Sequence, residues 1–263
     1  MIEIRRNFGG SKGESYLPEE FISRPTDYKG HPAVSFTYKG HECTVVPPVN
    51  PCAQRRWVWR AEFLGAFDSV DQRLLEMGWH IAYCRVSDMF GCPESIEMLK
   101  EFHDFVVKQF DLNPKADIFG FSRGGLYAFH YTLKYPEDIC VLYLDAPVQN
   151  MFSWPQGKWA GIGSAHDWEM CKDWWHIDEE HPEEFRGNPT DLIEELLATK
   201  VPVVMVAGGS DEVVPYDENG QLLEQKMKAC GYDCLVIVKP ECGHHPHSLE
   251  DPTPVSDFIV KHS

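Results

Sequence analysis

The chain has 263 residues, 43% of them hydrophobic and 25% charged, so it is long enough and apolar enough to bury the core of one large domain. Its formal net charge of −17 argues against nucleic acid and anionic membranes as partners, because binding either requires clustered Lys and Arg. The first residues lack the apolar segment of a secretory signal, and no apolar run reaches the roughly 18 residues of a membrane helix. We therefore expect a cytoplasmic protein without a membrane partner; the oligomeric state stays unknown.

The N-terminal part of the sequence predicts a surface segment followed by a hairpin. Residues 1–32 contain Gly and Pro with little hydrophobic periodicity, which is typical of an N-terminal lead-in over the surface. Residues 33–38 and 42–46 read as two short strands around a Lys39-Gly40 turn. The sequence thus predicts a lead-in over 1–32 and a main domain over 33–263.

From residue 70 onward, helical and strand patterns alternate. The helix beginning at about Pro93, for example, places Ile96, Leu99 and Phe102 on one face. Alternation of helices with nearly continuous apolar strands predicts an α/β fold with a mostly parallel central sheet and helices on both faces. The predicted helices cover about 70–77, 93–112, 124–135, 221–230 and 255–261, and the predicted strands cover 80–86, 117–121, 141–144, 203–206 and 234–238.

Residues 148–200 interrupt this alternation and are rich in tryptophan. Their position, after one strand and before the next, predicts a cap or lid insertion over the carboxyl ends of the strands, where ligands bind in open α/β folds. Aromatic rings stack on sugars and apolar acyl groups, so Trp154 and Trp159 are candidate substrate-binding residues. The alternative is that the tryptophans fill a small core of the insertion itself.

The segment Gly120-Phe121-Ser122-Arg123-Gly124 carries the sharpest chemical signal. It directly follows an apolar strand and opens an apolar helix, which is the context of a nucleophile elbow. Glycine two positions on either side of the serine lets the backbone pass closely through the strained turn. We expect Ser122 to be a nucleophile and the backbone N–H of Arg123 to be one donor of an oxyanion hole.

A nucleophilic serine needs a base and a carboxylate, and both follow Ser122 in the order this fold requires. Asp211 comes just after an apolar strand, with Glu212 as a substitute and a turn-capping role as the alternative. After the last strand, His244 follows a glycine and is the favoured base. His245 and His247 are more typical of pocket-lining or structural histidines, and His245 is a candidate substrate contact.

The C-terminal region also invites comparison with zinc sites, because its cysteines and histidines are zinc ligands. No paired Cys-x-x-Cys spacing occurs there, and Cys234 falls within a predicted strand. We therefore predict no metal ligands and no cofactor. The residues compared are Cys230, Cys234, Cys242, His244, His245 and His247.

These motifs together resemble the α/β-hydrolase superfamily, in particular esterase and prolyl-oligopeptidase-like serine hydrolases, including bacterial esterases of carbohydrate esters. The resemblance runs from about residue 33 to the C-terminus. It implies an α/β-hydrolase fold, a Ser122, Asp211, His244 triad and a small-molecule or carbohydrate ester as substrate. The lack of an N-terminal propeller departs from prolyl oligopeptidases and argues against a peptidase. A peptidase or acyltransferase with the same triad, or a non-catalytic binding protein of this fold, remain the alternatives.

Two further features concern the substrate and the second oxyanion donor. Residues 47–54 follow a predicted strand, and their prolines have no N–H, which leaves Val49, Asn50 or residues further along; we choose Asn50. The basic and aromatic residues 55–60 follow. Trp57 and Arg60 could hold an acyl or sugar group by stacking and bidentate hydrogen bonds, the alternative being aromatic packing with solvated arginines.

Overall fold

A computed structural model describes residues 22–263. Three antiparallel strands open the sheet: β1 (Ile22–Tyr28), β2 (His31–Tyr38) and β3 (His41–Val46). The turns Lys29-Gly30 and Lys39-Gly40 have positive φ at both residues, as a two-residue hairpin turn requires. The predicted hairpin is confirmed, but residues 22–28 form a strand of the sheet and not a surface lead-in. Residues 1–21 of that lead-in lie outside the described residues.

Six further strands extend the sheet, and they run parallel to one another. The order across the sheet is β1-β2-β3-β5-β4-β6-β7-β8-β9, with β5 antiparallel to β3. This is a mostly parallel α/β sheet, as predicted. The strands are β4 (Trp57–Arg60), β5 (His80–Cys84), β6 (Ala116–Phe121), β7 (Ile139–Asp145), β8 (Val203–Gly208) and β9 (Cys234–Lys239).

Seven α-helices accompany the sheet in the described part of the chain. The longest, the second, begins with Pro93 in its first turn and ends at Asp111 in the left-handed conformation, which stops the helical hydrogen bonding. The helices are α1 (Ser69–Glu76), α2 (Pro93–Phe110), α3 (Gly124–Lys134), α4 (Ala165–Trp175), α5 (Ile193–Thr199), α6 (Gly220–Cys230) and α7 (Thr253–His262).

The core lies on both faces of the sheet because strand residues alternate in direction. In β8, Val203 and Met205 join the apolar cluster under α2, α3 and α6, whereas Val204 and Val206 join the cluster under α1 and α7. All four side chains are fully buried. Covering both faces of the sheet leaves its carboxyl edge as the place where loops can present polar groups.

The segment 148–200 and the main fold share a third apolar cluster. Trp168 and Cys171 of α4 are buried there against Phe90 and Leu126 of the main fold. Helix α5 instead packs its Ile193 and Leu196 into the larger cluster beneath the sheet. None of the helices between residues 22 and 263 combines the length and the apolar character that a bilayer-spanning helix needs.

Candidate functional site

Three polar side chains meet at the carboxyl ends of the parallel strands. Ser122 directly follows β6, Asp211 follows β8, and His244 lies in the loop after β9. Strands β6 and β8 flank β7 in the sheet, so their ends lie at the same edge. The topology therefore brings together residues that are up to 122 positions apart in the chain.

The turn that holds Ser122 is strained in the way the sequence predicts. Ser122 has φ +49, in the left-handed region, and its N–H donates to the carbonyl of Asp145 at 2.9 Å. A Cβ on Gly120 would come within 2.7 Å of the Ala128 Cβ, and one on Gly125 within 2.7 Å of the Pro147 Cβ. The glycines thus allow helix α3 to approach the strand ends closely enough to form the elbow.

A continuous hydrogen-bond chain joins the three residues. Ser122 Oγ lies 3.0 Å from His244 Nε2, and His244 Nδ1 lies 2.7 Å from Asp211 Oδ2. Because a carboxylate only accepts, Nδ1 carries the proton and Nε2 accepts from the serine hydroxyl. The other Asp211 oxygen accepts from the N–H groups of Val213 and Val214 at 2.9 and 2.8 Å. The loop after β8 therefore fixes the carboxylate, and the carboxylate fixes the imidazole.

A second histidine–aspartate pair lies beside the first. His247 Nδ1 donates to Asp145 Oδ1 at 2.9 Å, and Asp145 Oδ2 accepts from Ser248 N–H at 2.8 Å and from the Tyr143 hydroxyl at 2.7 Å. Asp145 ends β7 and is buried, so these bonds fasten the His244 loop to the sheet. The sequence analysis missed Asp145; an aspartate that ends an apolar strand is the signal that could have indicated it.

His245 occupies the open side of this loop. Its ring stacks on Phe67, with centroids 5.2 Å apart, and lies 4.9 Å from the His244 ring. Partial burial and the neighbouring imidazoles lower the pKa of His245. The side chain is exposed next to the base, so its predicted contact with substrate stays open to test.

Arg123, next to Ser122, joins three acidic side chains. Its Nη1 lies 2.8 Å from Asp88 and 3.8 Å from Asp167 of α4, and its Nε lies 3.7 Å from Glu62. Glu62 is 3% exposed. Burial raises the pKa of Glu62, and the Arg123 guanidinium opposes that rise. Arg123 therefore links the elbow to segment 148–200 and to the loop after β4.

A polar cavity of about 680 Å³ adjoins Arg123 and opens to solvent. Charged, hydroxyl and aromatic groups from the β4–α1 loop and from strands β1–β3 and β5 line it. Such a lining suits a ligand with hydroxyl or charged groups more than a purely apolar one. The lining includes Arg24, Glu62, Phe63, Tyr83, Arg85 and Arg123.

Two predicted substrate contacts are corrected by the structure, because Trp57 and Arg60 are fully buried in strand β4. The Trp57 indole stacks on Trp59 and donates to the carbonyl of Asn113 at 2.9 Å. Arg60 pairs with Asp71 at 3.3 Å and donates to two carbonyls of the β4–α1 loop. Neither side chain has surface to offer a ligand; Arg60 instead shapes the loop beside Ser122.

The predicted oxyanion donor Asn50 lies at the wrong end of the sheet. A Cβ on Gly78, which precedes β5, would come within 2.6 Å of the Asn50 carbonyl, so Asn50 sits at the amino end of the parallel strands. The loop at the carboxyl end is the one after β4. A Cβ on Gly124 would come within 3.6 Å of Glu62 N. The prediction failed because the four residues of β4 were not recognised as a strand, so the loop before them was taken for the loop at the carboxyl end.

The remaining predicted contacts lie around the site without forming part of the hydrogen-bond chain. Trp154 is half-buried against Phe90, with ring centroids 6.2 Å apart, whereas Trp159 is 52% exposed. The loop of Trp159 is tied to the loop of Asp211, because Ile162 N–H donates to the Glu212 carbonyl at 2.8 Å. Asp211, not Glu212, supplies the carboxylate that meets His244.

Comparison with solved structures shows what this arrangement resembles. The chain is similar in fold to part of two solved structures that are described as peptidases. One, described as a dipeptidyl aminopeptidase IV from Bacteroides ovatus, superposes with a TM-score of 0.64 at 12% identity over 92% of this chain. The other, dipeptidyl peptidase 4 of Porphyromonas gingivalis, gives 0.62 at 10% identity over 93%. Both likenesses concern the fold, and the sheet is consistent with an α/β-hydrolase fold.

The similarity covers only part of those proteins. This chain matches 36% of the length of each structure, so it spans about a third of either. No family model and no curated protein matches the sequence. What the site does must therefore be argued from its own geometry.

Proposed function

We propose that this protein is a serine hydrolase that cleaves a carboxylic ester through Ser122, His244 and Asp211. The observation that carries the proposal is the hydrogen-bond chain from Ser122 Oγ through His244 to Asp211, with both links at 3.0 Å or shorter. A serine on a strained elbow, a base within hydrogen-bond reach and a carboxylate that orients the base are the parts of nucleophilic acyl transfer.

The reaction follows from the position of each group. The Ser122 hydroxyl attacks the ester carbonyl while His244 Nε2 takes its proton, and Asp211 stabilises the imidazolium that forms. His244 then protonates the departing alcohol, leaving an acyl group on Ser122. A water molecule that gives its proton to His244 attacks this acyl-enzyme, releases the acid and restores the serine.

Charge on the carbonyl oxygen builds up beside the start of α3. The backbone N–H of Arg123 is the first donor we propose for it, since it directly follows the nucleophile. The second comes from the Glu62–Phe63 segment, which replaces Asn50 in this role. Its support is the closeness of Glu62 to Gly124, in the turn that follows Ser122.

The surroundings favour an ester that carries a polar group. The cavity beside Arg123 offers arginine, glutamate and tyrosine side chains, which hydrogen-bond to hydroxyl and carboxylate groups such as those of a carbohydrate. Segment 148–200 borders the site at two points, Asp167 against Arg123 and Ile162 against Glu212. We propose that it forms a wall of the substrate site, with the exposed Trp159 and the half-buried Trp154 as stacking surfaces.

Peptide hydrolysis is the second candidate function. It is favoured by one observation, that the two solved structures of the same fold are described as dipeptidyl peptidases. The same triad cleaves esters and amides, so the site geometry suits both. Activity on ester and peptide substrates distinguishes the two candidate functions.

The test is hydrolysis by the purified protein of p-nitrophenyl acetate, of acetylated sugars and of dipeptidyl p-nitroanilides, with Ser122→Ala as the matched control. We expect ester turnover that the control lacks, and labelling of the wild type alone by a fluorophosphonate. Preference for the anilides would make the protein a peptidase. A wild type that is neither labelled nor active on any of these substrates would indicate a binding protein and overturn the proposal.

A further inference from the structure

Three histidines of the loop after β9 converge on one point. The rings of His244, His245 and His247 have pairwise centroid distances of 4.8 to 4.9 Å, and the ring planes of each pair are inclined by 63° to 86°. One potential ligand nitrogen from each lies within 4.8 Å of the others. Among the described residues, these histidines are the group of three potential metal ligands whose ligand atoms lie this close together.

Two of the three already have the outer partners that zinc-binding histidines use. His244 and His247 each donate Nδ1–H to a buried carboxylate, Asp211 and Asp145 respectively. Such a bond fixes the ring and leaves Nε2 to bind a metal, and it makes that nitrogen a better ligand. The third histidine, His245, is exposed, so a metal ion can reach it from solvent.

The spacing fits a tetrahedral metal ion. Imidazoles that bind one zinc ion at about 2.0–2.1 Å have ring centres roughly 5 Å apart, close to the separation the rings have here. The two carboxylates behind the rings also offset the charge of the cation.

Although the sequence predicts no metal ligand here, we propose that His244, His245 and His247 form an inhibitory binding site for zinc or a chemically similar transition-metal ion. This inference rests on the proposed function for its effect, because His244 is the base of that mechanism. His244 Nε2 lies 3.0 Å from Ser122 Oγ, and its lone pair accepts the proton of the serine hydroxyl. A metal bound to Nε2 uses that lone pair, so the proton can no longer be accepted. The occupied enzyme has no base, and removing the metal restores it.

Binding is measured first, without reliance on activity. Ser122→Ala, which keeps all three histidines, is titrated with Zn²⁺ against a chromogenic chelator and with Co²⁺ by absorption. We expect one tight site, with tetrahedral cobalt bands and without the charge-transfer absorption of a cobalt–thiolate bond. Adding His245→Ala should weaken the affinity at least tenfold. Adding His181→Ala, which removes a histidine with a 57% exposed side chain elsewhere, should not change it.

Inhibition is measured second, on the wild type with its best substrate. Micromolar Zn²⁺ should abolish turnover, a chelator should restore it, and Mg²⁺ and Ca²⁺ should have no effect because they prefer oxygen ligands. His245→Ala should need at least tenfold more Zn²⁺ for half-inhibition of its own activity. Absence of the tight site in Ser122→Ala, or binding that His245→Ala leaves unchanged, overturns the proposal. Tight binding without inhibition of an active enzyme overturns its inhibitory role.

If the wild type has no hydrolase activity at all, the proposed function fails while the binding titration still decides the metal site. Loss of zinc binding in Cys230→Ser, which changes an exposed thiol outside the histidine loop, would likewise overturn the proposal by assigning the ion to cysteine.

Discussion

Buried aspartates at the two ends of the parallel sheet have different hydrogen-bond partners. At the carboxyl end, Asp211 and Asp145 each accept three hydrogen bonds, from imidazole, backbone N–H or tyrosine hydroxyl. At the amino end, Asp117 of β6 is equally buried, and the hydroxyl of Ser263 donates to it. Burial raises the pKa of Asp117 to about 8. The same residue type thus builds a polar network at one end and a proton-binding core position at the other.

The carboxyl end itself contains two histidine–aspartate pairs of similar geometry. They differ in the contacts of the imidazole: Nε2 of His244 lies 3.0 Å from Ser122 Oγ, whereas the His247 ring packs against the rings of Phe67 and Phe121. A histidine–aspartate pair alone therefore does not indicate which imidazole faces a nucleophile. We propose proton transfer for the first pair and attachment of the loop to the sheet for the second.

The largest expected effect is on the first pair. Ser122→Ala and His244→Ala should each lower kcat by about 10⁴- to 10⁶-fold, because the nucleophile and its base act as a unit. Initial rates on the best ester substrate provide the measurement, and unchanged melting temperatures serve as the control for folding. A Ser122→Ala protein with wild-type turnover would remove the serine from the mechanism.

Asp211→Asn should lower kcat by about 10⁴-fold while leaving the melting temperature nearly unchanged. A neutral amide at this position no longer keeps the proton on His244 Nδ1. The imidazole can then adopt the tautomer with the proton on Nε2, which cannot accept the proton of Ser122. Rates and thermal melts are measured on the same preparation. Near-normal turnover in this variant would contradict the role of Asp211 as the orienting carboxylate.

Asp145→Asn sharpens the comparison because it makes the matching change in the second pair. We expect a loss of about 1–3 kcal/mol in the free energy of unfolding, since a buried amide cannot satisfy all three donors. Turnover should fall by roughly tenfold or less, through loosening of the His244 loop. Denaturant unfolding and kcat at a temperature well below the melting point separate the two effects. A loss of activity as large as in Asp211→Asn would show that the two pairs share one function.

Much of the candidate site could be predicted from the sequence, because its residues belong to local sequence motifs. The elbow around Ser122 follows an apolar strand, and Asp211 and His244 follow later strands in the order the fold requires. The hydrogen bonds that join these three residues in the structure agree with that reading, while their catalytic role awaits the tests above. The five predicted helices and the seven predicted strands also match elements of the structure, since their hydrophobic periodicity is strong. The sequence did not predict helices α4 and α5 or strands β1 and β4.

What could not be predicted depends on contacts between distant segments. Strand β4 has only four residues. Arg60 within it can be buried because its guanidinium pairs with Asp71 and donates to two carbonyls of the following loop. Missing β4 moved the expected oxyanion loop to Asn50, at the opposite end of the sheet. Asp145 went unnoticed because its partners, His247 and Ser248, lie about a hundred residues away.

We expect the smallest effect on turnover at the amino end, where Asp117 should instead make the stability of the fold depend on pH. Because its folded pKa of about 8 lies above that of an unfolded aspartate, about 3.9, the folded state keeps a proton that the unfolded chain releases between these values. The stabilisation from this proton is complete below about pH 4 and is lost progressively as the pH rises toward 8, by at most about 1.4 kcal/mol per pH unit. Asp117→Asn, which has no proton to lose, should reduce this decline. Denaturant unfolding of the wild type and of Asp117→Asn at intervals from pH 5 to 8 measures the slopes, and equal slopes in the two proteins would show that Asp117 does not hold a proton in the folded state over this range.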